Sequence, residues 1–334
     1  MTPALDLAAH PGDAVAIEDG DARLTYAELR SASLRAAGGL VASGVRPGDR
    51  VAIWAPNIHE WIVAALGIHA AGGVLVTVNT RFKGEEAAYV LRRSGAKALL
   101  TVNGFLGADY PAMLDGQDVP ELERIVVLRG ATPEGCVPWR ALAEHEGVRT
   151  LPERGDDDIS DILFTSGTTG RPKGVPITHG QTRRTYAAWS EVVGLRRGDR
   201  YLVVAPFFHC FGYKAGWLAA LMQGATVLPH AGFDAGQVLE RIGPDRVSVL
   251  PGPPALYQSL LAHPARDDHD LSSLRLAVTG AATIPVSLIH RMRDELGFDT
   301  VITGYGLTEC SGVATMCREG DDPALIAKTS EDER

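Results

Sequence analysis

Short apolar runs alternate with longer segments in which apolar residues return every three or four positions. Val51–Trp54, Val74–Val78, Ala98–Val102 and Ile125–Leu128 are nearly continuous apolar stretches bounded by turn formers, so they read as buried strands. Between the first three, the spacing predicts helices over 57–70 and 84–94. A further helix is predicted to start at Thr25-Tyr26-Ala27-Glu28, where a hydroxyl at the cap and a carboxylate three residues on make a capping box. Gly44 ends that helix, and Pro47-Gly48-Asp49 turns the chain into Val51. Such alternation predicts an α/β fold with a mostly parallel sheet. One stretch, Trp61 to Val78, is uncharged and long enough to resemble a membrane span. His69 and Gly72-Gly73 interrupt it, so it reads as a helix to Ala70, a turn and a strand, and no membrane span is expected.

The chain also echoes itself. Gly44-Val45-Arg46-Pro47-Gly48-Asp49-Arg50 leads into an apolar strand that ends at Ala55-Pro56, and Gly194-Leu195-Arg196-Arg197-Gly198-Asp199-Arg200 does the same before Ala205-Pro206. A histidine follows each proline at the same distance, His59 and His209. The repeat predicts two tandem related α/β subdomains, over 1–155 and 156–317, followed by a polar tail over 318–334. Their link is placed near the polar Pro152 to Asp158. The alternative is a generic strand-entry turn used twice, since the matched residues are turn formers.

Composition narrows the classes. A net charge of −9 argues against a basic nucleic-acid binder, and 45% hydrophobic with 22% charged residues is globular rather than disordered or coiled-coil. The 37 glycines and 20 prolines have no short period, which points to many turns and glycine-lined loops. Four cysteines, Cys136, Cys210, Cys310 and Cys317, show no zinc-ligand spacing and make no disulfide framework in so long a chain. A reducing, cytoplasmic location is expected, and no signal peptide is readable at Met1-Thr2-Pro3-Ala4.

The strongest chemical signal is Thr165-Ser166-Gly167-Thr168-Thr169-Gly170-Arg171-Pro172-Lys173-Gly174, directly after apolar Ile162-Leu163-Phe164. Glycines let successive N–H groups turn toward one anion, hydroxyls add donors, and cations offset phosphate charge. The loop is suited to polyphosphate. It is not a Walker A loop, because Lys173 follows Pro172 and precedes Gly174 instead of standing between Gly and Ser/Thr. Downstream, Leu274–Val278 reads as a strand emptying into Thr279-Gly280-Ala281-Ala282, and Thr300–Ile302 as one emptying into Gly304-Tyr305-Gly306-Leu307-Thr308-Glu309. Ligands of open α/β sheets bind at such strand ends. The first loop is nearly free of side chains and could seat a flat purine. Tyr305 offers a stacking ring, and Thr308 and Glu309 offer a hydroxyl and a hard oxygen for phosphate and Mg²⁺.

Together these three blocks resemble the adenylate-forming superfamily of acyl-CoA synthetases, luciferases and peptide-synthetase adenylation domains, over nearly the whole chain. The resemblance implies that Thr165 to Gly174 binds the ATP phosphates, that Gly280-Ala281-Ala282 lies at the adenine edge, and that Gly304 to Glu309 serves nucleotide and Mg²⁺. It implies two half-reactions, in which a carboxylate attacks the α-phosphorus of ATP to give acyl-AMP and pyrophosphate, and the thiol of CoA then displaces AMP. Lys173 and the hydroxyls of Thr165, Ser166, Thr168 and Thr169 fall to the leaving pyrophosphate, Thr308 to the α-phosphate or acyl carboxylate, and Glu309 to Mg²⁺. Pro206-Phe207-Phe208-His209 resembles the aromatic segment beside the acyl pocket with His209 as its gate; a core histidine satisfied by a backbone carbonyl is the equal alternative. Phe211, Gly212, Tyr213, Lys214, Gly252 and Pro253 are expected to border the acid. An ammonium at Lys214 would favour an acid carrying a remote carbonyl, and a snorkelling surface lysine is the alternative. The runs Phe207–Gly216, Pro251–Tyr257 and Thr279–Thr283 look most like the actinobacterial branch that activates the bicyclic indanedione propanoate of steroid degradation, with a fatty acid as the alternative substrate.

The family pattern continues past Glu309 with an Asp for the ribose hydroxyls, a hinge and a small C-terminal domain carrying a Lys. Lys328 to Arg334 is too polar to begin another core strand. The expectation is therefore a large N-terminal domain that folds, binds nucleotide weakly, forms acyl-AMP more slowly than a complete ligase and, through newly exposed apolar surface, self-associates into a homo-oligomer. A domain loading a carrier protein and an inactive nucleotide-binding protein remain as alternatives.

Overall fold

The computed structural model describes residues 7–148, 150–165 and 171–328. Backbone contacts divide the chain into two units. The first comprises Met1–Val15, Ala22–Arg183 and Phe207–His209; the second comprises Ala16–Asp21, Arg184–Pro206 and Cys210–Arg334.

In the first unit the short strand β2 (Ala22–Thr25) runs into α1 (Tyr26–Ala42). The capping box forms as predicted: the Glu28 N–H donates to Thr25 Oγ1 at 3.2 Å, and the Thr25 N–H donates to Glu28 Oε2 at 2.8 Å. The Thr25 N–H and the Thr25 hydroxyl, which donates to the same Oε2 at 2.9 Å, pull the Glu28 carboxyl below its usual range. The helix stops before Gly44, whose φ of 95° suits glycine. Seven strands follow: β3 (Arg50–Trp54), β4 (Val74–Thr77), β5 (Ala96–Val102), β6 (Arg124–Arg129), β7 (Val137–Pro138), β8 (Ile159–Thr165) and β9 (Lys173–Thr178). They form one sheet in the order β7-β6-β5-β3-β4-β8-β9, parallel except for the β8–β9 hairpin. The uncharged stretch is α2 (His59–Ala70) followed by a turn and β4, and Glu60 to Ala70 are all buried. Among the described residues no helix is long and apolar enough to cross a membrane. Helix α3 (Gly84–Ser94) returns the chain to β5, and a single turn, α4 (Arg140–Ala143), packs on α1.

The second unit repeats the opening of the first. Helix α5 (His179–Val193) leads to β10 (Arg200–Val203), which pairs in parallel with β11 (Thr226–Pro229) from Arg200↔Thr226, as β3 pairs with β4 from Arg50↔Val74. The likeness includes the turns. Asp49 accepts from the N–H of Arg46 and Asp199 from that of Arg196, both at 2.9 Å, while Val74 donates to the Asp49 carbonyl and Thr226 to that of Asp199, both at 2.8 Å. The turn and the strand pairing thus recur together in both units. The first strand of the chain, β1 (Val15–Asp19), joins β11 in parallel through Ile17↔Val227. On the other side of β10, Val249 bridges in parallel to Tyr201 and to Leu276 of β12 (Leu276–Gly280). Beyond β12 lie parallel β13 (Thr300–Tyr305) and antiparallel β14 (Thr315–Met316). Residues 210–222 fold as one turn of α6 (Cys210–Gly212), a π-helical stretch Tyr213–Leu218, and α7 (Ala219–Met222). Helices α8 (Ala235–Ile242), α9 (Pro254–Ala262) and α10 (Val286–Asp294) share an apolar core with the sheet, in which Leu202, Leu228, Val238, Tyr257, Leu260, Ile289 and Met292 are sealed from solvent.

Two features differ from the sequence expectation. The polar linker ending at Asp158 does not separate the sheets, because β8, which follows it, hydrogen-bonds to β4 from Leu75↔Asp161 onward. And the segment read as a polar tail contains α11 (Pro323–Lys328), with Ile326 and Ala327 in the core and the Ile326 carbonyl accepting from Thr303 Oγ1 at 2.7 Å. Two apolar side chains on one face are enough to dock a short helix on a finished core, too few to mark it by periodicity.

Candidate active site

In the first unit the hydroxyl-rich loop joins the two strands of the β8–β9 hairpin. Thr165 and Lys173 are register partners. The loop therefore leaves and re-enters the sheet at one point, with the two side chains on the same face. Ser166, Gly167, Thr168, Thr169 and Gly170 lie outside the described residues. Lys173 is exposed and Thr165 half-buried. Gly174 is required by packing: a Cβ there would stand 2.9 Å from Ile162 Cγ2 and 3.2 Å from the Phe164 ring. The loop's second shoulder is held from α3, where the Tyr89 hydroxyl donates to the Pro172 carbonyl at 3.1 Å and the Arg171 guanidinium lies 5.9 Å from the Tyr89 ring centre.

The segment Phe207–His209 belongs to this same unit. The Phe207 N–H donates to Asn57 Oδ1 at 2.8 Å, its ring meets Trp61 edge-on at 5.5 Å, and the Phe208 carbonyl accepts from Thr77 Oγ1 at 2.9 Å. Asn57 follows β3 and Thr77 ends β4, so His209 is tied to the carboxyl end of the sheet that carries the phosphate-type loop. His209 lies at the surface, with part of its side chain open to solvent. The protein mass around its ring disfavours the charged form and lowers the imidazole below the usual histidine range. His59, its counterpart in the repeat, instead lies 3.3 Å from both Glu60 Oε2 and Arg129 Nη2.

In the second unit the parallel pairing of β12 with β13 ends on two glycines in register, Gly280↔Gly304. A Cβ on Gly280 would stand 2.4 Å from the Gly304 carbonyl oxygen, so the two backbones approach closely only because this side chain is absent. Ala281 follows with φ of 64°, a left-handed conformation that costs a non-glycine residue roughly 1 kcal/mol or more. Ala281 is exposed and Ala282 half-buried. On β13, Tyr305 is half-buried and its carbonyl accepts from the Ala314 N–H at 2.9 Å. Gly306 passes so close to Gly312 that a Cβ would stand 2.1 Å from the Gly312 oxygen. Thr308 and Glu309 then project from a single turn, Thr308–Cys310. That turn is closed by Cys310, whose Sγ accepts from the Leu307 N–H at 3.3 Å, and it is pinned where Tyr186 donates to the Ser311 carbonyl at 2.6 Å. Glu309 is exposed. One accessible carboxylate beside a hydroxyl fits Mg²⁺, which takes one or two protein oxygens and keeps water and phosphate as its remaining ligands.

Of the residues expected at the acid, Gly212 packs against a strand end, where a Cβ would stand 2.2 Å from the Ala205 oxygen. Phe211 is half-buried and Tyr213 buried, its ring stacked on Trp217 at 4.8 Å. Lys214 is only 1% exposed, with Nζ 4.3 Å from the Tyr213 ring centre, so the snorkelling alternative fails. It sits on the π-helical stretch, a distortion often found at functional sites. The Gly252 N–H donates to the Val278 carbonyl at 3.0 Å, which sets Gly252 and Pro253 beside the end of β12. Each group of expected residues thus lies at the carboxyl end of the parallel strands of its own unit. Tyr89, Asn57, Thr77, Tyr186 and Cys310 were not foreseen; each acts through a contact distant in sequence or through a backbone atom.

The family model described as AMP-binding enzyme matches residues 5–330. A 3-[(3aS,4S,7aS)-7a-methyl-1,5-dioxo-octahydro-1H-inden-4-yl]propanoyl:CoA ligase of Mycobacterium tuberculosis is 49% identical over 95% of this chain and 63% of its own length. The enzyme of the same name from Rhodococcus jostii is 45% identical over 96% of this chain and 64% of its own. The chain thus spans less than two thirds of these relatives. The anthranilate CoA ligase AuaEII, solved with anthranoyl-AMP, superposes with a TM-score of 0.91 at 28% identity, over 96% of this chain and 63% of that one. The N-terminal domain of FACL13 from Mycobacterium tuberculosis superposes with a TM-score of 0.83 at 28% identity, over 98% and 81%.

Proposed function

The chain belongs to the AMP-binding enzyme family, and we propose that it forms the nucleotide- and acid-binding part of an AMP-forming carboxylic acid:CoA ligase. In the first half-reaction an acid oxygen attacks the α-phosphorus of ATP; the O–P bond to pyrophosphate breaks and acyl-AMP forms. In the second, CoA sulfur attacks the acyl carbonyl, AMP leaves with the former acid oxygen, and the thiol proton passes to solvent. The protein's own task is to hold the reacting oxygen and phosphorus in line and to meet charge where it develops.

The observation that carries this reading is the hairpin in which Thr165 and Lys173 close a run of glycines and hydroxyls at the end of a buried sheet. Lys173 and the hydroxyls of Thr165, Ser166, Thr168 and Thr169 take the leaving pyrophosphate, and the sequence places Gly167 and Gly170 among them. Gly280, Ala281 and Ala282 receive the base edge, with Gly304, Tyr305 and Gly306 along the nucleoside. Thr308 donates to the α-phosphate or the acid, and Glu309 holds Mg²⁺, which when bound neutralises phosphate charge. Uncharged His209 lets the acid pass without fixing it as an ion pair.

The acid is a ring propanoate with a remote carbonyl, such as the indanedione named for the relatives, bordered by Phe211, Gly212, Tyr213, Lys214, Gly252 and Pro253. A buried ammonium supports a polar feature at the far end of an otherwise apolar acid. A reducing, cytoplasmic setting is supported by four free cysteines. The test is ATP binding and acid-dependent exchange of labelled pyrophosphate into ATP. Lys173→Met should lower exchange about 10- to 100-fold, the worth of one hydrogen bond to a charged group. Exchange unaltered by Lys173→Met, or no binding of ATP at all, would refute the reading. Transfer of labelled acyl to CoA rather than to a phosphopantetheinyl protein separates the ligase from a carrier-loading domain.

A further inference from the structure

We propose that Tyr89 is a positioning residue for the phosphate tail of the nucleotide, acting through the backbone of the loop that grips it; this rests on the reading of that loop given above. Its hydroxyl donates to the Pro172 carbonyl at 3.1 Å, and its ring lies 5.9 Å from the guanidinium carbon of Arg171. Two consecutive residues immediately before Lys173 are therefore held by one side chain. The Pro172 carbonyl belongs to the peptide unit that joins Pro172 to Lys173. Fixing that oxygen fixes the plane of the unit, because the peptide is rigid, and with it the direction in which Lys173 leaves the backbone. Thr165 and Lys173 are both strand residues paired in register, so the tie acts on Arg171 and Pro172, the loop residues that lead into β9.

Tyr89 is well placed to act as an anchor because α3 is rigid. The Lys83 N–H at its start donates to Glu86 Oε2 at 2.9 Å, and it ends on left-handed Gly95 with φ of 63°. It is packed through Ala87, Ala88, Val90 and Leu91, whereas Tyr89 is half-buried. The helix thus keeps its seat without the hydroxyl, and the hydroxyl's partner is the ligand loop rather than the core. A group supported by a rigid element through a hydrogen bond to its backbone is held more tightly than loop entropy alone allows.

The inference discriminates between nucleotides. The loop meets the phosphates that leave as pyrophosphate, so Tyr89 should matter for ATP and pyrophosphate and not for AMP. Calorimetric titration of ATP and of AMP into wild-type protein, Tyr89→Phe and Tyr89→Leu, with thermal unfolding of each without ligand, tests it. Tyr89→Phe should weaken ATP about 3- to 10-fold with AMP affinity and melting temperature unchanged. Tyr89→Leu, which also removes the ring beneath Arg171, should weaken ATP further and again spare AMP. Unchanged ATP affinity in Tyr89→Phe overturns the inference, as does a parallel loss of ATP, AMP and melting temperature, which would mark a structural role. Wild-type protein that binds AMP but not ATP would overturn the reading of the loop itself, and Tyr89 with it.

Discussion

Replacing Gly280 by alanine tests the geometry of the proposed nucleotide end of the second unit, and the paired strand supplies its own control. A methyl on Gly280 would stand 2.4 Å from the Gly304 oxygen, about 1 Å short of ordinary van der Waals contact. The neighbour is backbone in a parallel ladder that is hydrogen-bonded from Leu276↔Thr300 to Gly280↔Gly304, so it cannot turn aside as a side chain could. Relief requires the two strand ends to part. The cost falls in the range of overpacking a well-filled interior, about 1–3 kcal/mol. For a unit of this size each kcal/mol lowers the melting temperature by about 2–4 °C. The register partner behaves differently: a methyl on Gly304 meets nothing closer than Met316 Cγ and the Thr315 oxygen, both at 3.5 Å. Gly304→Ala should therefore shift stability by less than about 1 kcal/mol. Thermal unfolding reads the stability, and AMP titration reads the loops that the strands carry. Gly280→Ala should lose AMP affinity roughly tenfold, the equivalent of about 1.4 kcal/mol transmitted to the site. Gly280→Ala and Gly304→Ala with equal melting temperatures and equal AMP affinity would refute the argument that backbone approach at this one position shapes the strand ends.

Two further outcomes follow from buried or crowded polar groups. The His209 imidazole is lowered by the surrounding protein, so below pH about 6.5 the unfolded chain binds a proton that the folded chain resists. Its contribution to stability is complete above that pH and is lost as pH falls through the depressed folded value. His230, lowered first by burial and then by Arg241, acts in the same sense. His209→Gln should therefore lose less melting temperature than wild type between pH 7.5 and 5.5; equal losses would show that His209 carries none of the acid sensitivity. Lys214→Met should cost keto acids at least about fivefold more in kcat/KM than alkyl acids of equal size, an outcome read from an acid panel with a complete enzyme. Equal losses across the panel would remove Lys214 from acid selection.

Much of the fold was legible because it rests on local rules. The Thr25–Glu28 capping box, the glycine stop at Gly44 and the strand-entry turns at Asp49 and Asp199 are bonds between residues three apart, and they form wherever those residues occur. The duplication was visible for the same reason, since its most recognisable part is a turn whose hydrogen bonds close on themselves. The candidate loop was also legible, because its glycines and hydroxyls are neighbours in sequence.

By itself, then, the sequence determined the α/β class, the strand ends that carry loops and the chemistry those loops offer. Tertiary structure alone decided which sheet each piece joined and which side chains steady the loops. Nothing in Ile159–Thr165 reveals that β8 pairs with β4, because a parallel partner is chosen by a crossover and a register that no local window contains. Nothing around Lys214 reveals a fully buried ammonium, and the ties from Tyr89 to Pro172 and from Tyr186 to Ser311 end on backbone carbonyls, which every residue possesses. A contact to such an atom has no signature in the identity of its acceptor, so only the folded chain can disclose it.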